Sequence, residues 1–391
     1  MHAERRPLTQ HGAAPRWHFQ HGPIDLVIVA EGDAAAVAAA HEAAWRRFET
    51  VLPELITELR ALRLPIGGPC PLQGAIARRM WWACRPFHAQ FITPMAAVAG
   101  AVAQELIAAY QREGIERAWV NNGGDIALHL APGASARVGV FADLARFDPV
   151  LPNTANSGNS ANSANSGNSA NSAKLRPDAG FTVHASMPVR GIATSGWRGR
   201  SFSLGIADSV TVLARTAAQA DAAATVIANA LNVTDARIER RPANQLKDDT
   251  DLGDIEVTVN VPALEVALVD AALQAGQRRA RELQRDGLIH AAMLVCQDRF
   301  ASVDAMLPRG GSHPSPLQGP RSGPFVALGE GAGKGNDAGA RVLLPLPLEE
   351  GGGRRGAFAP HEASPQSGSG VQAGKRTASE GARGPLGSVF A

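Results

Sequence analysis

Seven consecutive Asn-(Ser/Thr)-(Ala/Gly) triplets fill residues 153–173 and limit how much of this chain can fold. They contain no apolar side chain larger than Ala, so burial cannot offset the entropy of ordering them, and we predict a flexible loop between two strands. Residues 305–391 are rich in Gly, Pro, Ser and Arg with little periodicity, which predicts a disordered tail. With residues 1–17 predicted to be a flexible N-terminus, one folded domain is expected over residues 18–304.

Strands and helices are both indicated in this domain, but they do not alternate one to one. Residues 18–31 predict two strands around a Gly-Pro turn, and apolar positions at helical spacing in residues 33–63 predict two helices separated at Pro53. Residues 216–231 predict an alanine-rich helix that follows a strand-rich stretch. This order favours an α+β fold with mixed or antiparallel sheets and packed helices over a doubly wound sheet.

Charge and cysteine content exclude several partners and locations. The net charge of +2 offers no general attraction to nucleic acid or to an anionic membrane, and the apolar windows are too short for a membrane span. Cys70, Cys84 and Cys296 form no CxxC pair, and the N-terminus lacks the apolar core of a secretory signal. We therefore expect a cytoplasmic protein without nucleic-acid or membrane partners, and the oligomeric state stays open.

The stretch GIATSGWRGRS brings small hydroxyl residues, glycine and arginine together. Thr194, Ser195 and Gly196 can present backbone N–H groups and hydroxyls to an anion, while Arg198 and Arg200 can supply guanidinium contacts to phosphate. The alternative is a tight turn with solvated arginines.

A carboxylate and a hydroxyl share one face of the predicted helix 216–231. Asp221 and Thr225 lie four residues apart, and oxygen ligands of this kind suit Mg²⁺, which keeps coordination positions for phosphate oxygens. Alternatively, Asp221 faces solvent and Thr225 is an ordinary buried helix residue.

The stretch NNGGD ends a predicted strand. It is consistent with an ordinary tight turn. In the functional interpretation, the bare backbone of Gly123 and Gly124 lets a ligand lie against it, and Asp125 reaches a polar group of that ligand.

Taken in order, VNNGGDIALHL, GIATSGWRGRS and DSVTVLARTAAQADAAAT resemble the ApbE-like superfamily, and more closely its UPF0280 branch. The stretches FITPMAAVAGAVAQEL and GRSFSLGIADSVTVLA point to that branch, and the resemblance covers about residues 18–300 without the triplets. It implies an ApbE-like fold, a small-molecule nucleotide ligand (FAD or FMN) and Mg²⁺. In the flavin transferases of this superfamily, FMN passes from FAD to a threonine of an acceptor protein and AMP leaves.

The resemblance also assigns residues. It implies that Asp221 and Thr225 bind the metal. It places the remaining candidates at the nucleotide, with Arg198 added for its charge: Gly123, Gly124, Asp125, Thr194, Ser195, Gly196 and Arg198.

One departure leaves the activity open. The transferases carry a His-Ile-Ile-Asp-Pro segment between ATSG and SVTV, whereas this chain runs SFSLGIADSVTV, with Asp208 near that point and no histidine. No catalytic residue is therefore predicted. One hypothesis is a magnesium-dependent enzyme of phosphoryl-transfer or FMN-transfer type; another is a non-catalytic module that binds a flavin cofactor. A third is a structural or partner-binding protein without a nucleotide.

Overall fold

The computed structural model describes residues 2–8, 16–140, 179–304 and 340–342 of the chain. The triplets at 153–173 lie outside these residues, as does the C-terminal tail apart from one short strand. The flexible loop and the disordered tail therefore stay predictions.

The described residues contain helices and mainly antiparallel strands, which confirms the predicted α+β class. The strands are β1 (Glu4–Leu8), β2 (Arg16–His21), β3 (Ile24–Gly32), β4 (Ile115–Asn122), β5 (Asp125–Leu130), β6 (Ser135–Val140), β7 (Ala179–His184), β8 (Gly191–Ser195), β9 (Ser209–Ala214), β10 (Glu239–Pro242), β11 (Glu256–Asn260), β12 (Ala291–Cys296), β13 (Arg299–Val303) and β14 (Ala340–Val342). The α-helices are α1 (Ala34–Thr57), α2 (Leu59–Leu62), α3 (Ala75–Cys84), α4 (Val98–Ile107), α5 (Ala217–Ala230) and α6 (Val266–Arg285).

Nine strands form one antiparallel sheet in the order β1-β2-β3-β4-β5-β8-β9-β12-β13. A smaller sheet has the order β14-β6-β7, and β10 pairs with β11. Strand β1 lies within the N-terminus that was predicted to be flexible. Its sequence, ERRPL, has no alternation of apolar residues, so only its pairing with β2 defines it as a strand.

Each face of the large sheet buries its own apolar cluster. Leu26, Ile28 and Val212 point toward the helices, while Val29 and Leu213 point to the opposite face, because side chains alternate along a strand. On the helical face, α5 packs against β8 and β9, and α4 packs against α5. On the other face, residues of β6 and β7 complete the second cluster.

The predicted helix break at Pro53 is wrong, because α1 runs through this proline and ends at Thr57. Proline removes a backbone hydrogen bond inside a helix. Here the buried stripe of Phe48, Val51 and Leu55 continues on both sides of Pro53, so packing holds the helix together.

Two caps fix the starts of the elements that form the site. Thr93 accepts a hydrogen bond from the N–H of Met95 and precedes a 3₁₀ turn, Pro94–Ala97, that leads into α4. Thr216 caps α5 by accepting a hydrogen bond from the N–H of Gln219.

Candidate functional site

The turn between β4 and β5 places bare backbone beside the start of α4. Gly123 and Gly124 have φ of +66° and +112°, values that favour glycine. Asn121 closes the turn by accepting a hydrogen bond of 2.9 Å from the N–H of Gly124. The amide of Asn122 donates to the carbonyl of Ala99 at 3.1 Å, which ties the turn to α4. The NNGGD stretch is therefore a tight turn, as its residues predict, and it also contacts the helix.

Asp125 opens β5 at the end of this turn and is 8% exposed. Its carboxylate accepts a hydrogen bond of 3.3 Å from the N–H of Thr194 on β8. Burial raises the pKa of Asp125 to about 7, although the Thr194 N–H and the charge of Arg200 act in the opposite direction. The structure thus brings together two regions of the sequence that were singled out independently.

Asp221 reaches from α5 to the first turn of α4. Its carboxylate accepts a hydrogen bond of 2.8 Å from the N–H of Gly100, and the nearby N–H of Ala99 also stabilises its charged form. These N–H groups are among those left without partners inside a helix, so Asp221 caps α4 from a neighbouring element. The alternative in which Asp221 merely faces solvent does not hold.

Gly100 makes this approach sterically feasible. A Cβ atom on Gly100 would lie 2.3 Å from the carbonyl oxygen of Ala217 and 2.9 Å from the Cβ of Asp221. The backbones of α4 and α5 therefore meet at a point where no side chain fits.

The carboxylates of Asp125 and Asp221 are electrostatic neighbours. Burial and the charge of Asp125 raise the pKa of Asp221 well above its usual range, while the N–H groups of Gly100 and Ala99 lower it. Two such carboxylates are stabilised by a proton or by a cation. Perturbed carboxylates on a bare-backbone turn are a feature of functional sites.

Thr225 lies on α5 one turn after Asp221, and both side chains are half-buried. A carboxylate and a hydroxyl on one helical face suit a hard cation. Within the described ranges, no group of three or more His, Cys, Asp or Glu side chains is arranged to hold a metal ion. A metal here would therefore depend on oxygen atoms from water or from a ligand.

The ATSG stretch ends β8 beside β9. The hydroxyls of Thr194 and Thr211 lie 3.0 Å apart and share a hydrogen bond. Ser195 is half-buried at the end of the strand. Gly196 lies against the backbone of Asp208, whose carbonyl oxygen would be 2.3 Å from an added Cβ atom.

Arg198 and Arg200 occupy different places. The guanidinium of Arg198 stacks over Trp197, with its carbon 4.9 Å from the ring centre, and its Nε lies 3.9 Å from the carboxylate of Asp208. That carboxylate also accepts hydrogen bonds from Trp197 Nε1 at 3.3 Å and from the N–H of Gln297 at 2.6 Å. The guanidinium of Arg200 instead lies against Gly123, where its terminal nitrogen would be 1.6 Å from an added Cβ atom.

Sequence reasoning missed a second carboxylate near α4. The hydroxyl of Thr93 donates a hydrogen bond to Asp251. The thiol of Cys84 is fully buried, and burial together with the charges of Asp221 and Asp251 raises its pKa well above the usual range. Asp251 lies in the acidic stretch KDDTDLGD, and nothing in its spacing links it to a residue so far away in the chain.

Two surface cavities lie away from these carboxylates. One, of about 520 Å³, is lined by residues of 111–115 and 129–132, and another, of about 190 Å³, is lined by Pro188, Arg215 and residues of 284–290. Among the described helices, none combines the length and the apolar character needed to cross a membrane.

Comparison with known proteins gives matches to UPF0280 proteins and to a flavinyl transferase. A UPF0280 protein of Methanospirillum hungatei is 36% identical over 145 residues, which cover 37% of this chain and 47% of that protein. A UPF0280 protein of Methanothrix thermoacetophila is 33% identical over 169 residues, which cover 43% of this chain and 55% of that protein. The chain thus spans about half the length of these two relatives. The crystal structure of the flavinyl transferase ApbE of Pseudomonas stutzeri gives a TM-score of 0.36 at 11% identity and covers 77% of this chain and 94% of that one, a likeness too weak to carry an argument.

A sequence model of the family described as AbpE bacteria matches residues 5–302, well over half of the chain. The matched region contains every residue of the candidate site. The chain therefore belongs to the AbpE bacteria family, in agreement with its resemblance to ApbE-like and UPF0280 proteins.

Proposed function

We propose that the chain binds a flavin nucleotide, FAD or FMN, together with Mg²⁺, and that it carries out phosphoryl-transfer or FMN-transfer chemistry on the pyrophosphate of FAD. The observation that carries this proposal is the pair of neighbouring carboxylates, Asp125 and Asp221, beside the bare backbone of Gly123 and Gly124. Family membership and the motif order support the flavin as the ligand.

The residues present fit a magnesium ion. Asp221 and Thr225 would hold it, and the like charge of Asp125 beside Asp221 favours a divalent cation at this point. Mg²⁺ is usually bound by one or two carboxylates together with water and phosphate oxygens, so two protein side chains suffice. When bound, the ion supplies Lewis-acid polarisation of the pyrophosphate.

The other residues position the nucleotide. Gly123 and Gly124 allow a ligand to approach the backbone closely, and Asp125 holds β5 to β8 through the N–H of Thr194. Thr194, Ser195 and Gly196 would lie beside the flavin nucleotide, with Arg198 as a further phosphate contact. In FMN transfer, the acceptor would be a protein hydroxyl, which would form a phosphoester bond to the FMN phosphorus while the P–O bond to AMP breaks and AMP leaves.

A non-catalytic flavin-binding module is the second candidate function. The segment SFSLGIADSVTV leads into β9 without a histidine, and its Asp208 is engaged by Trp197, Arg198 and the N–H of Gln297. This arrangement keeps Asp221 and Thr225 available for a metal ion but supplies no group for the role of the transferase histidine.

Thermal unfolding of the full chain with FAD, FMN or ATP, each with and without Mg²⁺, tests the proposal. A ligand at 100 times its Kd adds about 2.7 kcal/mol of stability, so we expect a clear rise in Tm with FAD and Mg²⁺ together. Asp221→Asn keeps an oxygen acceptor for the N–H of Gly100 but removes the charge. We expect it to abolish the part of the rise in Tm that depends on Mg²⁺. Asp270→Asn, on the surface of α6 beside Arg299, is the matched control and should respond like the wild type.

The absence of any nucleotide-dependent shift would overturn the proposal and leave the third hypothesis, a structural or partner-binding protein. If FAD binds, AMP release during prolonged incubation with Mg²⁺ distinguishes the enzyme from the binding module. Turnover that is lost in Asp221→Asn supports the enzyme, and tight binding without AMP supports the module.

We also propose a cytoplasmic location, since Cys70, Cys84 and Cys296 are all free thiols.

A further inference from the structure

Arg200 differs from Arg198 in making no ion pair with a carboxylate of the described residues, although its charge acts on Asp125 from beyond that distance. Among the described residues, no carboxylate lies within ion-pair distance of its guanidinium, whereas Arg198 nearby lies 3.9 Å from Asp208. A guanidinium that forms no ion pair within the protein can bind an anion of a ligand. Arg200 lies beside the two glycines of the turn, where such a ligand can approach the backbone.

The position of Arg200 is set by Gly123. Its terminal nitrogen would lie 1.6 Å from a Cβ atom on this residue, and the guanidinium carbon would lie 2.6 Å from that atom. The guanidinium occupies the space that a Cβ atom at position 123 would fill, so a larger residue there would displace it. The left-handed backbone of Gly123 therefore serves two purposes, since it turns the chain and it seats a cation beside Asp125.

The two carboxylates receive different stabilisation. Asp221 is held by the N–H groups of Gly100 and Ala99, on the α4 side. Asp125 receives one N–H group, from Thr194, and the charge of Arg200 acts on it from the opposite side. Arg200 is the exposed group of this arrangement, whereas Asp125 is buried and Asp221 is half-buried.

We infer that Arg200 is an internal cation of the site that changes partner: without a nucleotide it offsets the charge of Asp125 over the Gly123–Gly124 turn, and with a nucleotide and a divalent cation it turns to the phosphate oxygens. This inference rests on the proposed function and extends it by naming the residue that couples the occupancy of the two ligands. Arg200 competes electrostatically with a metal ion that binds alone and cooperates with a metal ion that arrives with a pyrophosphate.

Opposite responses to two ligands test this role. The full chain and its Arg200→Gln variant are titrated with Mn²⁺ alone, and binding is measured by electron paramagnetic resonance. Both proteins are also titrated with FAD at saturating Mn²⁺, and binding is measured by flavin fluorescence. We expect Arg200→Gln to bind Mn²⁺ alone ~3-fold more tightly or better, since a nearby positive charge is removed. We expect it to bind FAD ~10-fold more weakly, since a charge-assisted contact is lost.

Arg198→Gln is the matched control, because it removes an equal charge two residues away, and it should change the Mn²⁺ affinity by less than the Arg200 variant does. Arg200→Lys keeps the charge but loses the bidentate geometry, so its affinity for Mn²⁺ alone should stay near that of the wild type. If Arg200→Gln weakens both affinities or changes neither, the inference is overturned while the proposed function stands. If the wild-type chain binds neither Mn²⁺ nor FAD, the proposed function fails and the inference fails with it.

Discussion

Asp125 is almost fully buried at the start of β5, with a pKa of about 7 in the folded chain. An unfolded aspartate has a pKa of about 4, so between these values the folded chain holds a proton that the unfolded chain releases. The free energy of unfolding should therefore fall as the pH rises from about 4 to about 7. Above that pH range, the whole cost of burying the charged carboxylate lowers the stability.

Asp125→Asn removes this titration. Between about pH 5 and about pH 8, we expect the Tm of the variant to fall less than that of the wild type, because the amide carries no charge to desolvate. Asp221 keeps part of the pH dependence, although its pKa should decrease once the neighbouring charge is gone. Circular dichroism melts at several pH values measure the difference, and equal slopes in both proteins would contradict the assignment.

Gly123 is constrained by its backbone conformation and by the guanidinium of Arg200 beside it. A pair of substitutions can distinguish the two effects. Gly123→Ala should lose about 1–2 kcal/mol of stability from its φ of +66° and should also displace Arg200. Gly133→Ala is the control, since it has a φ of +86° with nothing within 4 Å of an added Cβ atom. We expect similar losses in Tm from both variants and weaker FAD binding only from Gly123→Ala; equal FAD affinities would contradict the role of this turn.

At this scale, the sequence predicted which residue types matter but not how they contact one another. The spacing of Asp221 and Thr225 on one helix face could be read directly from the chain, because a helix has a fixed period. The hydrogen bond from Gly100 to Asp221 could not, since it joins residues 121 positions apart and depends on how two helices pack. The seat of Arg200 on Gly123 was missed for the same reason.

At the scale of elements, the contact between α4 and α5 determines where Asp221 lies. Gly100→Ala should push the two helices apart, because its Cβ atom would lie 2.3 Å from the carbonyl oxygen of Ala217. We expect a loss of about 1–3 kcal/mol in stability and a weaker response to Mg²⁺. Gly67→Ala, which has nothing within 4 Å, is the control, and unchanged magnesium dependence in Gly100→Ala would show that the helix contact does not position the carboxylate.

Helix α1 carries a proline that its packing tolerates. Pro53 is exposed, so Pro53→Ala removes no buried contact and restores a backbone N–H in the helix interior. We expect the variant to gain about 1–2 kcal/mol, since the helical penalty of proline exceeds the entropy that it removes from the unfolded chain. Denaturant unfolding measures the change, and a loss of stability would mean that Pro53 itself stabilises α1.

The sequence predicted most elements in the right places, because their periodicity and caps are local properties. The strands around the Gly-Pro turn and the alanine-rich helix α5 are examples. The exceptions are α1 and β1. Both depend on partners elsewhere in the chain: the buried stripe holds α1 across Pro53, and β2 holds β1 in the sheet.

At the scale of the whole molecule, the triplets 153–173 fall in the connection between β6 and β7, outside the described residues. On the expectation that they form a flexible loop, deleting them roughly halves this connection and should stabilise the fold by about 0.6 kcal/mol through reduced loop-closure entropy. The shift of Tm with FAD and Mg²⁺ should be unchanged. A large loss of stability in the deletion variant would show that the triplets contribute contacts.

The overall class could be predicted because strands and helices do not alternate along the chain, whereas the order of the nine strands could not. Strands β5 and β8 are neighbours in the sheet although two strands and a long connection separate them in the sequence. Such pairings depend on the collective burial of two apolar clusters, which no local pattern specifies.

The pairing of β5 with β8 also means that the candidate site is shared between two halves of the chain. The half before this connection supplies Gly123, Gly124 and Asp125, and the half after it supplies Thr194, Arg200 and Asp221. Cutting the chain within the connection would yield two fragments, each carrying an incomplete set of ligand contacts. Reassembly of the two fragments would restore the full set of ligand contacts. The recovery of metal-dependent FAD binding would then report that the fragments have associated, so the protein could serve as a split reporter.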